Sequence, residues 1–283
     1  MTTSPRPVYE ALRDAPGHLA STAELLTEGR APTDAPAAHA LTPYGRVVAL
    51  FSRDATTPLN RPVTTQETRS LERERRLRDR ETDATNPPDL TAFLQQAAQD
   101  SRALLSALGK QQDWVVLNIQ TTGTDQHADI VEVAVTTAAG QPLLRMLTRP
   151  THPVPAAATD VHGLDDHALR GALPWADVHA HLQQVLTGRT VLIWNAAFTL
   201  FILHWHAARH GTPIPDAQYL CAMRAYAPLT GDWLPQKRTF KFLPLPHAAA
   251  HAQITPCGQF ASHALNSACT AAALLRAHQP VSA

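Results

Sequence analysis

Trp114-Val-Val-Leu-Asn-Ile-Gln-Thr-Thr-Gly123 is the stretch from which the fold can be read. It has the apolar density of a buried β-strand from Trp114 to Ile119, and it runs into a Thr-Thr-Gly turn. Side chains two apart on a strand share a face, so Asn118 and Gln120 project together from the strand's end. A pair of carboxylates in that position would hold divalent metal for phosphoryl-transfer chemistry. Asn118 and Gln120 have the same shapes without the charge.

Working outward, Asp129 to Thr137 reads as a second strand and Gln141 to Arg149 as a third, joined by the Ala-Ala-Gly turn at 138 to 140. Next come Thr159-Asp-Val-His-Gly-Leu164, a helix from Trp175 to Leu186 and a strand from Thr190 to Trp194. That strand ends in Trp194-Asn-Ala-Ala-Phe-Thr-Leu200. Near the C-terminus lies Ser262-His-Ala-Leu-Asn-Ser-Ala268, followed by an Ala-rich helix. Three consecutive antiparallel strands, then helix, strand and helix, are the order of an α/β ribonuclease H-like sheet, a mixed central sheet flanked by helices.

These stretches resemble, in order, the three motifs of the DEDDh 3′–5′ exonucleases. This is the DnaQ-like family that includes the proofreading epsilon subunit of bacterial DNA polymerase III. The family's first motif carries Asp-x-Glu where this chain has Asn118 and Gln120. Its second reads His-Asn-Ala-x-Phe-Asp-Leu, with Trp194 here for the His and Thr199 for the metal-binding Asp. Its third reads His-x-Ala-Leu-x-Asp-Ala, with Ser262 at the general-base His and Ser267 at the last Asp. A one-residue slip brings His263 to the base position but puts Ala268 where the Asp belongs.

The resemblance spans about residues 112 to 279 and implies an exonuclease-like domain with a degenerate site. The family holds two divalent ions with four carboxylates. Two such ions about 4 Å apart repel by roughly 17 kcal/mol at an effective dielectric of about 20, and neutral side chains do not offset that. The expectation is therefore no catalytic residue and no metal, with Mg²⁺ or Mn²⁺ required only by the alternative of an active exonuclease with an atypical site. Other acids lie near the motifs: Asp125, Asp129, Glu132, Asp160, Asp165 and Asp166. Glu132 alternates with Val131 and Val133, and several family sequences carry a Glu there beside the usual ligands, which gives it a structural reading.

The function expected of such a domain is nucleic-acid binding or docking to replication or repair proteins. Candidate strand-binding residues are Thr121, Thr122, Gly123, His162, Trp194, Asn195 and Phe198, with Trp194 either an aromatic face for a base or a core residue plugging the old site. His206 and His210, one helical turn apart, have the spacing of a zinc pair. In a chain with 15 His they read as ordinary residues of a surface helix.

Composition sets the remaining bounds. The chain has 283 residues, with 24 Lys plus Arg against 24 Asp plus Glu. Zero formal charge speaks against a generally basic nucleic-acid binder while allowing a local patch. Three cysteines without a C-x-x-C pair argue against a thiolate zinc site and a disulfide framework, and suit a reducing cytoplasm. No apolar run reaches the roughly 18 residues of a membrane span.

Residues 1–62 read as a small N-terminal module or linker-like segment, with helix expected within Tyr9 to Leu26 and a strand from Gly45 to Phe51. Residues 63–110 read as a helical connector: a capping box at Thr64 and Glu67 opens a charged helix to Glu81, and Asp89 caps a second helix with an apolar stripe. Residues 111–283 form the exonuclease-like domain. Within it, 230 to 260 is Pro-rich and reads as a loop over the active face.

Overall fold

The computed structural model describes residues 8–9, 15–28, 30–34, 36–41, 47–59, 64, 67, 89–110 and 113–278. The N-terminal segment is a small β-module. Strands β1 (Val8–Tyr9), β2 (Leu19–Ser21), β4 (Ala38–Leu41) and β5 (Val47–Ser52) make one sheet in the order β1-β4-β5-β2, around Leu19, Ala38, Ala40 and Leu50. β3 (Arg30–Pro32) and β6 (Thr56–Pro58) pair separately. The helix expected through Leu26 is shorter than its pattern suggested. Leu19 to Ser21 is strand, and α1 (Thr22–Thr27) starts only where Ser21 and Glu24 form a reciprocal capping box.

Of the connector, Thr64 and Glu67 do form the expected box, with the Glu67 N–H donating to Thr64 Oγ1 at 3.2 Å. The charged run beyond it lies outside the described residues. Asp89 Oδ1 accepts from the Ala92 N–H at 2.9 Å and starts α2 (Leu90–Lys110). The α2 stripe packs as its periodicity requires: Leu105 and Leu108 enter the main core, and Phe93, Leu94 and Ala97 meet Trp233 and Phe240.

Trp233 and Phe240 belong to a two-stranded hairpin, β12 (Trp233–Leu234) and β13 (Thr239–Phe240), inside the segment expected to be a loop. Proline there sets turns and does not exclude structure. The hairpin lies on α2, and the chain then forms the helix Leu245–His251.

The central sheet has β7 (Val115–Thr121) in its middle, between β8 (Ile130–Thr137) and β10 (Thr190–Ile193), with β9 (Pro142–Leu147) and β11 (Gln218–Cys221) at the edges. β8 runs antiparallel to its two neighbours β7 and β9, while β10 and β11 run parallel to β7. This is the ribonuclease H-like arrangement that the element order implied.

The two sides of β7 divide the core. Val115, Leu117 and Ile119 face α4 (Trp175–Leu186) and α5 (Ala196–Arg209); Trp114 and Val116 face the opposite layer, which includes α2 and α8 (His263–Arg276). Asn118 and Gln120 continue the second row. Two short helices, α3 (Ala156–His162) and α6 (Ala222–Tyr226), complete the elements that bear on the site, with α7 as Leu245–His251. Among the described residues no helix is long and apolar enough to cross a membrane.

One covalent feature departs from the sequence reading: Cys257 and Cys269 form a disulfide, with their Cα atoms 6.0 Å apart. Their spacing of 12 residues does not announce a pair. The chain folds back before α8, and the Cys257 N–H donates to Thr270 Oγ1 at 2.9 Å, which sets the two side chains together.

Candidate active site

The end of β7 is a chain of neutral polar groups. The Gln120 Nε2 amide donates to Asn118 Oδ1 at 3.0 Å and lies 3.1 Å from His263 Nδ1. Gln120 is buried, so both amide protons are used inside the protein. Only an amide can do this, because a carboxylate in its place would have no proton to give.

Directly across the strand pair from Gln120 is Glu132. It is 1% exposed and fully engaged. Arg145 Nε donates to its Oε1 at 2.8 Å, Ser262 Oγ to the same oxygen at 2.9 Å, and the Ala264 N–H to Oε2 at 3.3 Å. Glu132 thus ties β8 to the first turn of α8. Ser262 completes the tie, since its hydroxyl also accepts from the Leu265 N–H at 3.0 Å as the helix N-cap.

Ser262 therefore points at Glu132, and the neighbouring His263 is the residue whose ring reaches β7. Ser267 lies further along α8, half-buried, and Thr199 is buried in the first turn of α5, behind its N-cap Asn195. The donors Asn118, Gln120, Thr199 and Ser267 carry no charge, and the one carboxylate beside them is spent on helix α8. This set does not fit a two-metal centre.

Three of the other acids near the motifs are occupied as well, while Asp160 is exposed on α3. Asp125 accepts from the His127 N–H at 2.8 Å and Asp165 from the Ala168 N–H at 2.8 Å, both turn-closing bonds, and Asp166 accepts from the Val154 N–H at 2.9 Å across a longer loop.

The turn after β7 is braced from two sides. Thr121 Oγ1 donates to Gly123 O at 2.7 Å, and Thr122 exchanges hydrogen bonds with Asp129: its N–H donates to Asp129 O, and its hydroxyl accepts the Asp129 N–H. From α3, His162 lies 3.2 Å from Thr121 O through Nε2, while its Nδ1 accepts the Leu164 N–H at 3.1 Å. That acceptance fixes the proton on Nε2. It depends on Gly163, whose φ of 74° in the left-handed region folds Leu164 back over the ring.

Burial pushes the His162 imidazole below its ordinary value of 6.5, against the pull of Thr121 and Glu132. His278, also lowered mainly by burial, behaves alike. In both, the folded protein favours the neutral form more than the unfolded chain does, so as pH falls through about 6.5 the unfolded chain binds more protons and stability falls. A thermal melt series from about pH 7.5 to about 5.0 should show a declining melting temperature, and His162→Gln, which keeps a donor for Thr121 O, should flatten part of the decline. An identical slope in the variant would remove His162 from the account.

Among the residues expected to meet a strand, Trp194 is placed otherwise than an aromatic platform requires. It is 7% exposed, donates through Nε1 to Leu243 O at 3.1 Å and packs on Tyr226. It follows Leu192, which registers with Val116, onto the crowded face of the sheet. Asn195 is exposed and Phe198 half-buried.

Two groupings appear only in the folded chain. Arg149 and Arg170 line an open cleft with Thr151, His152 and Asp166. Asp129 is buried between Thr151 and α5, where it meets His206 and Arg209. His206 is completely buried, not on a surface face.

No protein-family model matches the chain. Over 154 residues the chain is 30% identical to the uncharacterized exonuclease CP81 of Escherichia phage 186, covering 52% of this chain and 78% of that protein. The chain belongs to the DEDDh exonuclease family. A further relative is the PolC-type DNA polymerase III of Streptococcus thermophilus, 25% identical over 108 residues, which are 37% of this chain but 7% of that protein. Two solved structures are also similar to part of the chain. The nuclease domain of 3′hExo, a DEDDh family member bound to rAMP, has a TM-score of 0.46 at 11% identity, over 58% of this chain and 90% of that one. Exonuclease X in complex with 5′ overhanging duplex DNA has a TM-score of 0.44 at 18% identity, with the same coverages of 58% and 90%. Within the DEDDh family, the hydrogen-bonded amides of Asn118 and Gln120 stand where the name places an Asp and a Glu.

Proposed function

We propose that this chain is a catalytically inactive exonuclease-family protein that holds a nucleic-acid strand during DNA replication or repair. The observation that carries the reading is the Asn118–Gln120–His263 chain, in which protons occupy the places where metal ligands would need lone pairs. An intact carboxylate site repels a polyanion until cations neutralise it; a neutral site accepts a phosphate without them.

The strand's charge has a partner nearby. Arg149 and Arg170 line the cleft that also includes Thr151. Thr151 donates to Asp129 Oδ2, and the backbone of Asp129 is paired with Thr122, so the basic cleft adjoins the Thr121–Gly123 turn. Strand binding in chelator at low salt is the expected result, read by titrating a labelled single strand. Arg149→Glu with Arg170→Glu should weaken it about tenfold, and the salt dependence should lose about one unit of log–log slope per arginine. No binding by folded wild-type protein at micromolar concentrations would sink strand holding and leave docking to a replication or repair protein.

One observation favours the second reading, an active Mg²⁺- or Mn²⁺-dependent exonuclease with an atypical site: His263 and Glu132 both flank Gln120. The proposed setting is the cytoplasm. There a glutathione- or thioredoxin-type thiol pool would supply the two electrons that reduce the Cys257–Cys269 disulfide to two thiols.

A further inference from the structure

A second set of ligand-type side chains stands apart from the motif positions. Asp129, just ahead of β8, and His206 and His210, at the end of α5, each offer one ligand atom, and these atoms lie within 4.8 Å of one another. Helix geometry puts His206 and His210 on one face, one turn apart. Asp129 comes to them from far earlier in the chain because its strand lies beneath that face. We propose that Asp129, His206 and His210 bind a single divalent transition-metal ion of the zinc class.

The donor set selects the ion. Two imidazoles and one carboxylate suit Zn²⁺ or Co²⁺ with a fourth position open to water, whereas Mg²⁺ and Ca²⁺ favour oxygen donors. Asp129 is already oriented for the task. Its Oδ2 accepts the Thr151 N–H at 2.7 Å and the Thr151 hydroxyl at 2.6 Å, which leaves Oδ1 facing His206 Nδ1 at 3.5 Å. The His206 ring is fixed by burial and by Trp175, whose ring stands edge-to-face at 4.6 Å. Its Nε2 has no hydrogen-bond partner among the described residues.

The site is not a void, because a cation is there already. Arg209 places one guanidinium nitrogen 3.0 Å from Asp129 Oδ1 and 3.1 Å from His206 Nδ1. It is the donor to both, so His206 is neutral and its lone pair is directed at the position a metal would take. Arg209 is 30% exposed and can turn outward, giving up its contacts with the carbonyls of Gln126 and Ala128. Metal entry is thus an exchange of one cation for another. Its consequence is mechanical: the ion would fasten α5 to the start of β8, and through the Asp129–Thr122 pairing to the turn that follows β7.

The test uses metal alone. Zn²⁺ should raise the melting temperature of the wild-type protein by about 5 °C at saturating concentration, and Co²⁺ should give the visible absorption of a low-coordinate His-ligated site. His210→Ala removes an exposed ligand with little risk to folding and should abolish both signals. Arg209→Gln should melt lower without metal yet bind Co²⁺ about tenfold more tightly, because the competing cation is gone. A Zn²⁺ shift that survives His210→Ala belongs to other histidines and overturns the proposal, as would weaker Co²⁺ binding by Arg209→Gln or no Co²⁺ band in either protein.

Discussion

Incubated with a 5′-labelled single strand and Mg²⁺ or Mn²⁺, the purified protein is expected to leave the strand at full length. Phosphodiester hydrolysis in this family depends on two ions that activate water and stabilise the leaving oxygen. Asn118 and Gln120 offer neutral amides in their place, Thr199 and Ser267 offer hydroxyls, and Glu132 is held by Arg145, Ser262 and the Ala264 N–H. Without bound ions the rate should fall short of an intact family member by at least about 10⁶-fold. Strand shortening that co-purifies with the protein, stops with chelator and is lost in Glu132→Gln or His263→Ala would establish the atypical active site instead. A contaminating nuclease would be indifferent to those substitutions, so the variants distinguish the two.

Gln120→Glu should be the most costly single restoration of the family's motif. The introduced carboxylate could no longer donate to Asn118 Oδ1 or His263 Nδ1, and it would stand as a second acid opposite Glu132, itself 1% exposed. Lost buried hydrogen bonds and a like-charge pair together should cost about 3 kcal/mol, or a fall of roughly 6–12 °C in melting temperature. The sign with pH follows from the same cause. Burial and Glu132 would raise the folded-state pKa of the introduced carboxyl above its unfolded value of about 4.3, so the deficit should grow as pH rises through that interval and shrink as pH falls. A variant as stable as wild type at about pH 7.5, well above that interval, would show that Gln120 is not held as described. Adding Asn118→Asp should deepen the loss in chelator, and Mn²⁺ should restore part of it.

The sequence carried the exonuclease-like domain well because its elements have strong periods. β7 carries Val115, Leu117 and Ile119, and β8 carries Val131, Val133 and Val135, at alternate positions, and Trp175 to Leu186 repeats at helical spacing over its full span. The N-terminal β-module was harder to read. Leu19 to Ser21 is too short to show alternation, and only pairing with β5 makes it a strand. The hairpin at 233–240 was hidden by prolines around it, although its aromatic residues match the apolar stripe of α2.

Within the site, Asn118 and Gln120 were legible from alternation along β7, and the structural part of Glu132 from its alternation on β8 together with the family resemblance. What could not be read were contacts set by tertiary folding. Nothing local distinguishes Ser262 from His263 as the residue that reaches Gln120; the N-cap geometry of α8 does that. Trp194 could have been assigned to the core from Leu192, two residues earlier on the same face, had the layer covering that face been known. Asp129 beside His206 has no signature in sequence at all.

The His39–His204 contact has a consequence in time. His39 Nδ1 and His204 Nε2 meet at 3.1 Å in a buried interface, 165 residues apart along the chain. On a ribosome adding about 5–20 residues per second, the β-module emerges roughly 10–30 s before its docking surface on α5 exists. Throughout that interval the four-stranded sheet must persist on its own small core of Leu19, Ala38, Ala40 and Leu50, or form only after the rest of the protein is made. The β-module, made before the helix it docks on, would then settle after it.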